Sequence, residues 1–156
     1  MAMDHLKPVQ WNDSFSVGVK LIDDEHKLLL VIFEELVITL RTQQPKAVAK
    51  RAIEDLTGYV TYHFAHEEEL MKAFHYPDFD AHQKEHDKLT ARLMEIDQNL
   101  ERKKANITDV IDTIKLLINH HFMNTDAKMG QYLRNKIPGN YQPFAFSLDS
   151  NANIDH

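Results

Sequence analysis

Apolar residues recur at the i, i+3, i+4 spacing of a single helix face through four long stretches, and the punctuation between them is sparse, with four glycines and five prolines in 156 residues. Helical periodicity sustained over such lengths points to an all-α fold. Asp23 or Asp24 is placed to cap a first helix that runs to about Arg41. Gln44-Pro45 starts a second, since proline is tolerated in a first turn, and Tyr76-Pro77 marks where it must end. A third helix, with Asp78 or Asp80 as cap, continues through Leu100 to the polar stretch from Arg102 to Asn106, and Thr108 caps a fourth that reaches about Leu133. Connections this short favour antiparallel neighbours. The expected architecture is therefore one domain: an up-down-up-down four-helix bundle over residues 23–134, an irregular N-terminal arm over 1–22 carrying Trp11, Phe15 and Val19, and a tail over 135–156. That tail holds Tyr141, Phe144 and Phe146 before a polar end, and is expected to pack for part of its length and then fray.

Composition narrows the chemistry. A formal net charge of -6 disfavours nucleic acid or an anionic lipid surface, either of which repels the chain over most approach directions. No apolar run approaches the roughly 20 residues that span a bilayer, and the N-terminal residues lack the apolar core of a signal peptide, so membrane insertion is not expected and a cytoplasmic location is. The absence of cysteine removes disulfides, thiolate catalysis, zinc ribbons and cysteine-held iron–sulfur clusters together. Any metal must use His, Asp or Glu, and there are ten histidines.

On a wheel of about 100° per residue, five of those histidines lie with the apolar stripe of their helix. His26 lines up with Leu30, Phe33, Val37 and Leu40, and His63 with Leu56, Val60, Glu67 and Leu70. His82 and His86 continue the row Leu89, Leu93, Ile96 and Leu100, and His121 continues Ile107, Ile114, Leu117 and Ile118. A single stripe histidine is most simply a core residue bonded to backbone. Five of them with Glu67 would bury an anion among imidazoles, which costs several kcal/mol unless something pairs or coordinates them. The i, i+4 pairs His63/Glu67 and His82/His86 can each grip one ion.

Topology gives an independent check. In an up-down-up-down bundle the beginnings of the first and third helices meet the ends of the second and fourth. His26, His82 and His86 lie early in their helices, while His63, Glu67 and His121 lie late, so all converge on one end, as a metal site requires. His5 and His156 are terminal, His75 falls in a turn and His120 is off the stripe, so these read as solvated. His66 stands about 60° from His63 on the wheel, placed either to donate a hydrogen bond to a ligand or to sit at the boundary with solvent; the boundary is preferred.

These residues carry a resemblance. The arm W-N-D-S-F-S-V-G-V-K-L-I-D-D-E-H ending at His26, H-F-A-H-E-E-E-L-M from His63, H-Q-K-E-H from His82 and H-F-M-N-T-D from His121 resemble, in order, the motifs of the bacterial hemerythrins, a branch of the hemerythrin and myohemerythrin family, over about Trp11 to Leu133. The resemblance implies two iron ions, joined by an oxo or hydroxo bridge, with His26, His63, His82, His86 and His121 as terminal ligands and Glu67 and Asp126 bridging. Asp126 enters only by this route, because five residues after His121 it is roughly 140° away on an ideal helix. One coordination place is left for dioxygen, and the implied activity is reversible oxygen carriage, storage or delivery rather than catalysis, with an oxidase as a possible recipient and the chain a monomer. Leu29, Phe64, Ile118 and Phe122 adjoin ligand positions and are expected to wall an apolar dioxygen pocket. Leu117 and Ile118 depart from the Trp and Leu common at those positions in the family.

Rival readings explain less. H-Q-K-E-H has the H-x-x-E-H spacing of a zinc peptidase with Glu85 as general base, but leaves His26, His63, His121 and Glu67 without a role. His66-Glu67 begins an H-E-x-x-H pattern that fails at Leu70. A diiron enzyme, or a sensor of oxygen or nitric oxide, on the same scaffold is the remaining alternative.

Overall fold

The computed structural model describes residues 9–102, 106–138 and 140–141. A 3-10 turn, Asp13–Phe15, precedes α1 (Lys20–Arg41), α2 (Lys46–Ala73), α3 (Phe79–Glu101) and a fourth helical column. That column is built from α4 (Ile107–Lys115), a π-helical stretch (Leu116–Asp126) and α5 (Ala127–Leu133). α1 packs on α2, α2 on α3, α3 on α4 and α4 back on α1, which closes a four-helix bundle. Among the described residues no helix is long and apolar enough to cross a membrane. His5, His156, Gly139, Pro143, Phe144 and Phe146 lie outside the described residues, as do positions 103–105 between the third and fourth helices. Of the tail, Tyr141 is seen with its ring centroid 5.4 Å from that of Phe74.

The helix ends follow local chemistry, not always at the residues expected. α1 begins three residues before Asp23, with Val19 at its N-cap. Asp23 does not cap this helix. Its carboxylate instead accepts from the Val17 amide at 2.8 Å and the Ser16 hydroxyl at 2.6 Å, pinning the arm to the first turn. Asp78 does occupy the N-cap of α3, but its carboxylate takes Lys128 Nζ at 2.6 Å and not a helix amide. At α4 the capping side chain is Asn106, which accepts from the Thr108 amide at 2.9 Å. α1 and α2 both stop by turning one residue left-handed, Gln43 at φ 50° and His75 at φ 58°, and the next amide reaches back to Thr39 O and Met71 O respectively. His75 is therefore a turn residue, as expected.

Two apolar clusters fill the bundle. The larger joins Leu29, Phe33, Leu36, Leu56, Val60, Phe64, Leu93, Leu117, Ile118 and Phe122 across all four columns. A smaller one, of Val17, Val19, Ile22, Leu70, Met71, Tyr76, Met129 and Leu133, seals the end where the arm crosses. That crossing needs Gly130, because a Cβ there would stand 2.1 Å from the Val17 carbonyl oxygen and 2.7 Å from Val17 Cβ. Gly130→Ala is expected to lower stability by about 1–3 kcal/mol through overpacking, read as a fall of roughly 2–4 °C per kcal/mol in the thermal midpoint. An unchanged midpoint would mean that the arm does not lie against this helix.

Candidate metal centre

Four columns deliver seven side chains to one place. α1 brings His26, α2 brings His63 and Glu67, α3 brings His82 and His86, and the π-helical stretch brings His121 and Asp126, none of them more than 2% exposed. The i, i+4 pairs behave as ideal α-helix geometry requires. Asp126 does not, and the reason is local: in a π-helix the amide of residue i+5 bonds the carbonyl of residue i, so residues five apart stack on the same face. A continuous α-helix was expected here. The widened stretch Leu116–Asp126 replaces it and turns Asp126 inward beside His121, with the carboxylate 3.0 Å from His121 Nε2.

The two carboxylates each face two ways. Glu67 Oε1 lies 2.9 Å from His63 Nε2, while its Oε2 lies 2.9 Å from His86 Nε2 and 3.2 Å from His82 Nε2. Asp126 Oδ2 lies 3.0 Å from His26 Nε2, and its Oδ1 lies 3.0 Å from both His82 and His121 Nε2. Two donor sets result, sharing both carboxylates: His26 and His63 on one side, His82, His86 and His121 on the other, with the ligating atoms of each set all within 4.8 Å of one another.

Protons alone serve this arrangement poorly. His26 and His63 turn Nε2 on Nε2 at 3.1 Å, as do His86 and His121, and each such contact can hold one proton at most. Glu67 Oε1 and Asp126 Oδ1 are fully buried, and although imidazole nitrogens stand 2.9 Å and 3.0 Å from them, none is aligned to make a hydrogen bond among the described residues. Unserved buried carboxylate oxygens and convergent imidazole nitrogens are what a pair of cations would satisfy. Five imidazoles and two carboxylates without a thiol suit first-row ions such as iron or zinc.

Charge within the site is self-consistent. Burial disfavours a proton on His63, but the carboxylates of Glu67, Glu25 and Asp126 outweigh it and hold the imidazole up to about 10. His82 is likewise opposed by burial and raised to about 9 by Asp126 and Glu67, and His121 is raised in the same way. Burial opposes ionisation of Glu67 and Asp126, and the surrounding imidazoles nonetheless hold both carboxyls well below the usual range.

Sequence reasoning missed an outer ring of carboxylates. Glu25 accepts from His63 Nδ1 at 3.3 Å, Glu68 from His86 Nδ1 at 2.9 Å, and Glu85 from His121 Nδ1 at 3.1 Å. Glu85 is thereby occupied, held also by the Thr125 hydroxyl at 2.9 Å, which removes the free general base that the peptidase reading needed. The one available signal was that Glu25 and Glu85 each precede a stripe histidine, on a flank facing a neighbouring helix. His66 also needs correction: it is 4% exposed and not a boundary residue, because its flank of α2 faces α1, where its Nδ1 meets Glu25 Oε2 at 2.7 Å. His120, at 60% side-chain exposure, is solvated as expected. Leu29, Phe64, Ile118 and Phe122 are all buried in one apolar cluster, and two of them touch the site, Phe122 stacked on His26 at 3.9 Å and Phe64 on His86 at 3.8 Å.

Comparison with known proteins gives one consistent result. A family model described as the hemerythrin HHE cation-binding domain matches residues 17–133. A bacteriohemerythrin of Stenotrophomonas maltophilia is 25% identical over 92% of this chain and 83% of its own length. A bacteriohemerythrin of Pseudomonas aeruginosa is 31% identical over 75% and 76% respectively. A crystal structure of wild-type hemerythrin superposes with a TM-score of 0.75 at 27% identity, covering 82% of this chain and 99% of that one.

Linkage sets the pH behaviour of the metal-free chain. His63 and His82 keep protons that the unfolded chain releases near 6.5, so the stability they contribute is complete below that value and lost as pH rises through about 9 and then about 10. The depressed Glu67 and Asp126 carboxyls contribute stability that is present above about pH 4 and lost below it. Metal-free protein is therefore expected to melt at a lower temperature at about pH 9.5 than at about pH 6; the reverse order would contradict the ion pairing described.

Proposed function

The chain belongs to the hemerythrin family, and from that membership and the doubly shared donor set we propose that it binds dioxygen reversibly at a pair of iron ions. The observation that carries the reading is the two-way facing of Glu67 and Asp126, each with one oxygen toward His26 and His63 and the other toward His82, His86 and His121. In this reading those two carboxylates would be shared between the ions and the five imidazoles would each hold one. The three-histidine side would offer one ion three imidazoles and the two carboxylates, and the two-histidine side would offer the other ion one imidazole fewer. The ion held by fewer protein groups, on the two-histidine side, would be the one with room for dioxygen. Bound iron supplies the electrons that dioxygen draws on when it binds and returns when it leaves.

The chain's own residues provide the surroundings that reversibility needs. Phe122 is buried next to the two-histidine side and helps keep water from it, its ring flat on His26 at an interplanar angle of 14° and 6.2 Å from that of His63, while Leu29 and Ile118 belong to the apolar cluster it joins. A mostly apolar cavity of about 250 Å³ between α1 and the fourth column is lined by Leu30, Phe33 and Ile118, and the Phe33 ring lies 6.4 Å from that of Phe122, as suits an uncharged diatomic ligand. Glu25, Glu68 and Glu85 hold Nδ1–H of His63, His86 and His121, fixing which nitrogen each presents inward. We place the chain, as a single hemerythrin-like domain, among oxygen carriers or stores.

Two measurements test this. Reduced, iron-loaded protein is expected to gain a visible charge-transfer band on oxygenation and to lose it on removal of oxygen through repeated cycles; irreversible oxygen consumption with a released product would make it an enzyme instead. Glu67→Ala is expected to drop bound iron well below two per chain, whereas full occupancy would overturn the ligand assignment.

A further inference from the structure

The two halves of the centre are held differently. In the three-histidine half, His86 and His121 donate Nδ1–H to Glu68 and Glu85, each 23% exposed at the side chain and each bonded by a neutral donor, Gln83 Nε2 at 3.2 Å and the Thr125 hydroxyl at 2.9 Å, with the solvent-exposed His120 also 3.3 Å from Glu85. One Nδ1 in each half has no hydrogen-bond partner among the described residues, His82 in the three-histidine half and His26 in the two-histidine half, which leaves the latter a single supported imidazole. Outer support for that half therefore falls on His63, and its acceptor Glu25 is 5% exposed.

Glu25 is held by a second buried imidazole. Its Oε2 accepts from His66 Nδ1 at 2.7 Å, while its Oε1 accepts from His63 Nδ1 at 3.3 Å. Both histidines stand on α2 and Glu25 on α1, so one carboxylate clamps the seam between the two helices. The shorter bond is the stronger, so His66 decides where the carboxylate lies and His63 takes the oxygen left to it. Tyr62 sits edge-on to the His66 ring at 4.1 Å between centroids, restricting its rotation.

We propose that His66 is a positioning residue for the two-histidine half of the centre: through Glu25 it fixes the Nδ1–H bond of His63, and so selectively sets how tightly that half holds its cation. The proposal rests on the two-cation reading above. It assigns a role to a histidine that touches neither cation and that stands outside the seven ligand positions.

Anaerobic loading of metal-free protein with cobalt(II), followed by d–d absorption and by bound metal after desalting, tests it. Wild type is expected to take two cobalt ions per chain. His66→Leu, with unchanged helical circular dichroism, is expected to weaken one cobalt site by about 10- to 100-fold and to leave the other at wild-type affinity. His66→Asn places an amide nitrogen near the former Nδ1 and is expected to restore most of the loss. Should His66→Leu fail to fold, His66→Gln, whose donor is displaced by one methylene, gives the same contrast against His66→Asn. Two wild-type sites in His66→Leu, equal weakening of both sites, or no recovery in His66→Asn would each overturn the proposal. A single cobalt in wild type would instead overturn the two-cation reading, and the His66 proposal with it.

Discussion

Two carboxylates buried out of reach of water are the constraint around which this bundle is organised. An isolated buried carboxylate is costly enough to be neutralised or expelled. Glu67 and Asp126 remain ionised because imidazoles from all four columns converge on them, and each oxygen is assigned to one side or the other. The apolar clusters above and below then do two things at once: they exclude the water that would screen these charges, and they fix the helix phases that bring the charges together. Packing and electrostatics are therefore not separable here. A shift of any column that spoiled the core would also strand a charge.

Much of this was legible in the chain because it depends on regular geometry. Stripe position places His26, His63, Glu67, His82, His86 and His121 on inward faces, and alternation of helix direction brings them to one end; both follow from a fixed angle per residue and short connections. The structure brings all six together. What regular geometry does not contain, the sequence did not disclose. Asp126 depends on a departure from the α-helical angle, so spacing pointed it away from the site, and only the family resemblance named it.

The outer carboxylates were illegible for a different reason. Glu25, Glu68 and Glu85 lie beside the stripes and serve histidines on other helices, at sequence separations of 38, 18 and 36 residues. Knowing that a residue lies on a flank does not say which partner it will find there. His66 is the same case from the donor's side, and solvent was the simpler expectation until the packing of α1 on α2 closed over it. The caps differ for a related reason: α1 starts ahead of Asp23, and although Asp78 holds the N-cap position of α3, the carboxylates of both were recruited elsewhere, by the arm and by Lys128.

The widened turns between Leu116 and Asp126 also govern what lies beyond them. An α-helix advances about 100° per residue, so a helix that opens and then closes again resumes with its downstream face rotated relative to an unbroken one. Gly130, which must meet Val17, and Leu133, which must enter the sealing cluster, both lie past the point where α geometry returns. Forcing these same residues into unbroken α geometry would therefore act at a distance. It would leave the composition of the core untouched and yet swing the last two turns out of phase with the arm, uncapping the end of the bundle nearest the buried charges.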